Sequence, residues 1–143
     1  MDPLFDPEAN CVCLHLRRLS RVVTRRYEEA LRPLNLKSFQ FSTLVALSSR
    51  PAVSQTRLAS AFGMDISTLN RNVRPLVTRG AVEIVADEKD ARVRLLKITP
   101  QGRALYEEAL PLWHAAQEDA LRLLGPQGWP DIKQATNKLL DRS

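Results

Sequence analysis

Away from Ile66, Leu69 and Val73 in Asp65–Gly80, DISTLNRNVRPLVTRG, lie five side chains with groups suited to a nucleic-acid base or its phosphate: Ser67, Thr68, Asn70, Arg71 and Arg74. A guanidinium can donate two parallel hydrogen bonds to guanine O6 and N7. An asparagine amide can pair with adenine, and a hydroxyl serves bases or phosphates. A second cluster follows in Asp87–Gly102, DEKDARVRLLKITPQG, where Lys89, Asp90, Arg92 and Arg94 crowd together ahead of an apolar run. Arginine is drawn to narrow minor grooves, where negative potential is concentrated. Arg92 and Arg94, two apart on an expected strand, should point to one side, and Asp90 is near enough to pair with a neighbouring arginine and fix its direction. Taken alone, either cluster is the ordinary solvated face of an amphipathic element. Their succession carries the information.

Enzymatic chemistry finds no comparable grouping. His15 and His114 are far apart and belong to different expected helices. Phosphate-cradling glycine loops, nucleophile elbows and metal-ligand spacings are missing from the sequence, so no catalytic residue and no cofactor is assigned. Cys11, Cys13 and His15 form CVCLH. On a helix Cys11 and His15 would share a face while Cys13 points away, and with no fourth ligand no metal site is expected. One intervening residue also leaves the two cysteines badly placed for a disulfide. A cysteine at the start of a helix beside Arg17 and Arg18 sits in an electropositive setting. Cys11 and Cys13 are therefore candidates for redox chemistry as well as for plain packing as small hydrophobes.

The chain has 143 residues, enough for one domain with a core, and its 21 basic residues outnumber 16 acidic ones for a net charge of +5. Within Ser54–Gly80 four arginines face a single aspartate. That balance favours a polyanionic partner. The N-terminal MDPLFDPEAN is acidic and has no apolar centre, so it does not read as a signal peptide. No run is long enough to span a bilayer. With no disulfide framework, a cytoplasmic protein without a membrane partner is expected.

The elements that must position these groups are mostly helical. Leu16, Leu19, Val23, Tyr27 and Ala30 step by three or four along a first helix ending at Pro33, with Arg17, Arg18, Arg21, Arg25 and Arg26 opposite. Ser38 is expected to cap a second helix holding Phe41, Leu44, Val45 and Ala46 and stopping near Pro51. Ser54 caps a third, with Leu58, Ala59 and Phe62 inward and Gly63 at its stop. Asp65 caps the fourth, whose buried stripe is read as Ile66, Leu69, Val73, Leu76 and Val77, with Gly80 at its end. VEIV and RVRLLKIT are rich in β-branched residues and read as two strands around a charged turn. Thr99-Pro100 supplies a cap and a first-position proline for a long helix. Pro111 is expected to kink it and GPQGWP to break it before a last short helix. Helix, short turn, helix and then a hairpin describe a winged helix-turn-helix. The fold class is mainly α, of α+β type, in a single domain spanning 1–143.

At this point the chain resembles the MarR (multiple antibiotic resistance regulator) family. The resemblance is carried by RLASAFGMDISTLNRNVRPLVTRGAVE and by DEKDARVRLLKITPQG. The family's D-x-R-x5-[LI]-T wing pattern appears as Asp90-Ala91-Arg92, Val93 to Lys97, and Ile98-Thr99. The resemblance implies a homodimer in which 11–32 and 100–143 are dimerisation helices and 38–99 is the DNA-binding region. The recognition helix would cover about 65–79 and the wing about 82–99. It implies double-stranded DNA as partner, a near-palindromic operator met in successive major grooves. It also implies, for most members, repression relieved by a small aromatic or anionic effector. Carried over by position, Ser67, Thr68, Asn70, Arg71 and Arg74 go to the major groove. Arg92 goes to the minor groove with Asp90 orienting it, and Arg94 to the backbone. The peroxide-sensing branch places a reactive cysteine early in the first helix, much as Cys13 stands here. Tyr27 lies ~21 Å along that helix and could meet Cys13 only across a dimer. A winged helix used for protein assembly, without sequence-specific DNA binding, is the other reading of the fold.

Overall fold

Two aspartates start the chain's first turns. In the computed structural model, which describes residues 2–142, Asp2 accepts the Leu4 N–H at 3.0 Å and Asp6 that of Glu8 at 3.1 Å. A proline follows each cap, so a 3-10 turn forms at Pro3–Phe5 and a short helix, α1, at Pro7–Asn10. The chain's contacts then divide it into two compact units, Met1–Ala30 with Trp113–Ser143, and Leu31–Leu112.

In the first unit, helix α2 (Val12–Leu31) lies against the later part of α6 (Pro100–Leu140). Arg26 donates to Asp119 at 2.9 Å, and Asp119 also pairs with Arg122. The Tyr27 hydroxyl donates to the Gln117 side chain, and its ring stands 6.3 Å from that of Trp113. Burial pushes the Tyr27 phenol above its ordinary pKa. The expected break at GPQGWP is present: Gly125 leaves helical angles at φ 75°, ψ 175°. At Pro111 the backbone keeps helical angles and the helix continues through it. A residue before proline is steered away from the helical region. Before Pro126 that residue is a glycine, free to take a positive φ. Leu110, before Pro111, has no such freedom, and the helix runs on.

The second unit is a helical core closed by a small sheet. Helix α3 (Ser38–Ser48) buries Phe41, Thr43, Leu44 and Leu47. Its cap departs from expectation. Ser38 is the first helical residue, and the Gln40 side chain reaches back to accept the Lys37 N–H at 2.9 Å. Val45 is also 40% exposed rather than inward, since the buried stripe runs through 41, 44 and 47 instead. Helix α4 (Gln55–Ala61) is capped by Ser54, which accepts the Arg57 N–H at 3.2 Å. The turn after it uses Gly63 at φ +64°.

Helix α5 (Ile66–Thr78) starts at Asp65, whose carboxylate accepts the Thr68 N–H at 2.7 Å. Leu69, Val73 and Leu76 are fully buried, but Ile66 and Val77 are 43% and 36% exposed. At about 100° per residue those two lie on one flank of the stripe, turned some 60–80° from Leu69. They border the core rather than fill it.

Strands β2 (Val82–Ala86) and β3 (Arg94–Ile98) form the expected antiparallel hairpin, with Ile84 opposite Leu96. A third strand, β1 (Val53–Ser54), pairs with the other edge of β3, so the order is β1-β3-β2. Leu96 and Val53 point into the core, which resolves the facing of Leu95-Leu96. Thr99 joins three segments. Its hydroxyl donates to the Gly80 carbonyl at 2.6 Å and accepts the Gly102 N–H at 2.9 Å, capping α6 as expected. Arg79 donates to the carbonyls of Leu34 and Asn35, both at 3.1 Å, tying the end of α5 to the entry of α3.

The Asp65 cap carries a prediction. The Thr68 backbone N–H, assisted by its side chain and the charge of Arg71, holds the Asp65 carboxyl below its ordinary pKa. A depressed folded value means stabilisation that is present above the unfolded carboxylate pKa and lost as pH falls through the folded one. Asp65→Ala should therefore lower stability at neutral pH, with the gap to wild type closing on acidification. Asp65→Asn, which caps without titrating, should hold its contribution across that range. Urea denaturation along a pH series measures both.

Candidate nucleic-acid interface

The buried stripe of α5 determines what its other face presents. Measured around the helix from Leu69, Asn70, Arg74, Ser67 and Arg71 fall between roughly 100° and 200°, opposite the core. All four are exposed. Thr68 is only half-buried, on the flank, its N–H held by Asp65 and its carbonyl accepting from Asn72 at 2.9 Å. Four of the five expected groups thus share one face and the fifth borders it. Pro75 lies one turn past Arg71 and α5 continues through it to Thr78.

The wing departs from expectation at one position. Strand β3 begins at Arg94, so Arg92 is not on a strand and the alternation argument linking it to Arg94 does not apply. It belongs to the turn, closed by the Val93 N–H on the Asp90 carbonyl and the Asp87 N–H on the Val93 carbonyl, both at 2.9 Å. Asp90 takes the Arg92 backbone N–H at 3.1 Å and the guanidinium Nε at 3.1 Å on the same oxygen. Its second oxygen faces the guanidinium terminus at 3.4 Å. These contacts, the guanidinium foremost, hold the Asp90 carboxyl below its ordinary pKa. The expected orienting contact is present, made by a turn rather than by a strand. Arg92 itself is 91% exposed. Arg94 is exposed opposite Ala86, next to that turn.

One contact on this surface has no counterpart in the sequence pattern. Gln55, the first residue of α4, donates from Nε2 to Asn70 Oδ1 at 2.9 Å. The two are 15 residues apart on different helices, and no local periodicity could join them.

In the other unit Cys11 and Cys13 are free thiols, the first half-buried and the second exposed. Cys11 Sγ accepts the Leu14 N–H at 3.4 Å, a local cap at the start of α2. His15 turns its Nδ1 to the Cys11 carbonyl at 2.9 Å, and His114 is exposed, its ring 5.2 Å from that of Trp113 and steeply tilted to it. Among the described residues no group of three or more His, Cys, Asp and Glu could hold a metal ion, and no helix is long and apolar enough to cross a membrane.

A helix with a polar, arginine-bearing outer face, braced by a shorter helix before it and followed by a hairpin with an arginine at its turn, defines the winged helix-turn-helix class. The MarR family model matches residues 34–93. The Mycobacterium tuberculosis transcriptional regulator MosR, solved in complex with DNA, is 32% identical, with a TM-score of 0.82 over 93% of this chain and 96% of that one. Bordetella bronchiseptica BpsR, whose DNA binding is regulated by 6-hydroxynicotinic acid, is 27% identical, with a TM-score of 0.80 over 91% and 93%. The transcriptional regulator PetP of Rhodobacter capsulatus is 30% identical over 95 residues, 66% of this chain. That match spans 57% of PetP's own length. The chain belongs to the MarR family.

Proposed function

We propose that the protein is a homodimeric, sequence-specific transcriptional regulator that acts in the cytoplasm as a repressor and leaves its DNA when a small aromatic or anionic effector binds. The observation that carries this reading is the outer face of α5. Ser67, Asn70, Arg71 and Arg74 stand together, exposed and opposite a fully buried stripe, as a helix laid in a major groove requires. Thr68 borders them. Arg92, held by Asp90, is the minor-groove group, and Arg94 the backbone contact. The DNA-binding region is 38–99, and 11–32 with 100–143 are the dimerisation helices. Apolar side chains left exposed in the single chain, among them Leu16, Val22, Leu123 and Leu139, support a second copy covering them. DNA binding by MosR and the ligand response of BpsR support the operator and the effector. No catalytic step belongs to this function.

The test is selection from a pool of randomised duplexes, with sedimentation of the protein alone and on the selected duplex. The expected result is a dimer and a near-palindromic motif whose half-sites lie about one helical turn apart. Affinity for that motif should fall with salt but stay above that for unrelated DNA. Equal retention of all sequences, or a monomer on the selected duplex, would overturn the reading.

A further inference from the structure

We propose that Gln55 is a positioning residue that fixes the amide of Asn70 for base reading, so that the specificity of α5 is set in part from α4. The inference rests on the reading of α5 as the recognition helix. An asparagine amide pairs with adenine by offering one acceptor and one donor side by side, which requires its oxygen and nitrogen to be the right way round. On an exposed helix face the amide of Asn70 could rotate freely. In this arrangement Gln55 Nε2 donates to Asn70 Oδ1 at 2.9 Å, which puts the oxygen on the edge that faces α4. A carbonyl oxygen has two lone pairs. One serves Gln55, and the other remains for a base, together with the Nδ2 hydrogens.

The backbone of Gln55 is itself well anchored. It is the first residue of α4, directly after the Ser54 cap, and Ser54 pairs with Leu95 in β3 while Val53 pairs with Leu96. Strand β3 is the one whose preceding turn carries Arg92. The amide of Asn70 is thus referenced, through one hydrogen bond and a two-residue strand, to the sheet that holds the wing. Ordering this side chain before DNA arrives removes a rotamer cost from binding. It also biases which base Asn70 accepts, because the reversed amide presents donor and acceptor in the opposite order.

Wild type, Gln55→Ala, Asn70→Ala and the double variant are each taken through the randomised duplex pool. Base preferences are read position by position, with thermal unfolding as the check on folding. Asn70→Ala should reduce preference about tenfold at one position of each half-site. Gln55→Ala should reduce it about threefold at that same position and leave the others alone. In the Asn70→Ala background, removing Gln55 should change nothing further, since a residue acting only through Asn70 loses its effect with it. Gln55→Glu, which can accept from Asn70 Nδ2 but cannot donate to Oδ1, should alter the preferred base there rather than weaken all positions. Three outcomes overturn the proposal while leaving the recognition helix intact: an unchanged preference in Gln55→Ala, an effect spread evenly over the motif, or an effect that persists in the double variant. A wild type that selects no motif would instead remove the reading of α5 and this inference with it.

Discussion

Gly102→Ala should destabilise the unit Leu31–Leu112 by about 3 kcal/mol or more, because a side chain there has nowhere to go. A Cβ on Gly102 would stand 1.9 Å from the Ala81 carbonyl oxygen and 2.9 Å from Cγ1 of Ile98. The first obstacle is backbone, and that backbone is already committed: Ala81 O accepts the Thr99 N–H at 3.1 Å. Relieving the clash would draw the first turn of α6 away from the link between α5 and β2, and with it the Thr99 hydroxyl from Gly80. Gly63→Ala is the control. Gly63 has a positive φ of +64° but nothing within 4 Å of an added Cβ, so only the left-handed backbone is penalised, at about 1 kcal/mol. Urea unfolding of the two variants separates close approach from backbone strain. Equal losses would mean that the crowding at Gly102 is relieved cheaply.

On the proposed reading, Arg92→Ala should weaken binding to the selected duplex about tenfold and lower the slope of affinity against salt by about one charge. The fold should be untouched, since an ion pair this exposed contributes little to stability. Asp90→Ala sharpens the test because charge and orientation then pull in opposite directions. Removing a carboxylate from a DNA-facing turn should raise affinity if only net charge matters. It should lower affinity if the hydrogen bonds from the Arg92 backbone and guanidinium to Asp90 direct the side chain. Weaker binding is expected. Because the Asp90 carboxyl is held below its ordinary pKa, the pair stays charged throughout the neutral range, and pH changes there should not reproduce the substitution. Fluorescence anisotropy across a salt series, for both variants and wild type, decides the sign. Tighter binding by Asp90→Ala would reduce Asp90 to a repulsive charge, and unaltered binding by Arg92→Ala would take the wing out of the interface.

The parts of this protein that the sequence determined by itself are those whose physics is local. A side chain at a helix start reaches the N–H three residues on, so Ser54, Asp65 and Thr99 announced their caps. The 3.6-residue period of α5 placed Leu69, Val73 and Leu76 inside, and hence Asn70, Arg71 and Arg74 outside, without reference to any other segment. The composition of the wing marked a hairpin, and Asp90 with Arg92, two apart, found each other within one turn.

Only the tertiary structure decided the contacts that depend on distant segments meeting. Strand β1 is two residues long, too short for any pattern, and exists because β3 offers it an open edge. Arg92 left the expected strand because the turn before Val93 closed on Asp90, and alternation could not say where the ladder would stop. Ile66 and Val77 satisfied the apolar period yet stayed partly in water, since the width of the buried stripe is set by what packs against it. Arg79 reached a carbonyl 44 residues away, and Gly102 came to lie against a carbonyl across the helix–strand junction, with no room for a Cβ. Gln55 met Asn70 only because α4 and α5 fold against each other. Periodicity reports which face of an element is apolar; the partners of its other face are chosen when loops close and bring remote backbone together, and that choice leaves no local trace.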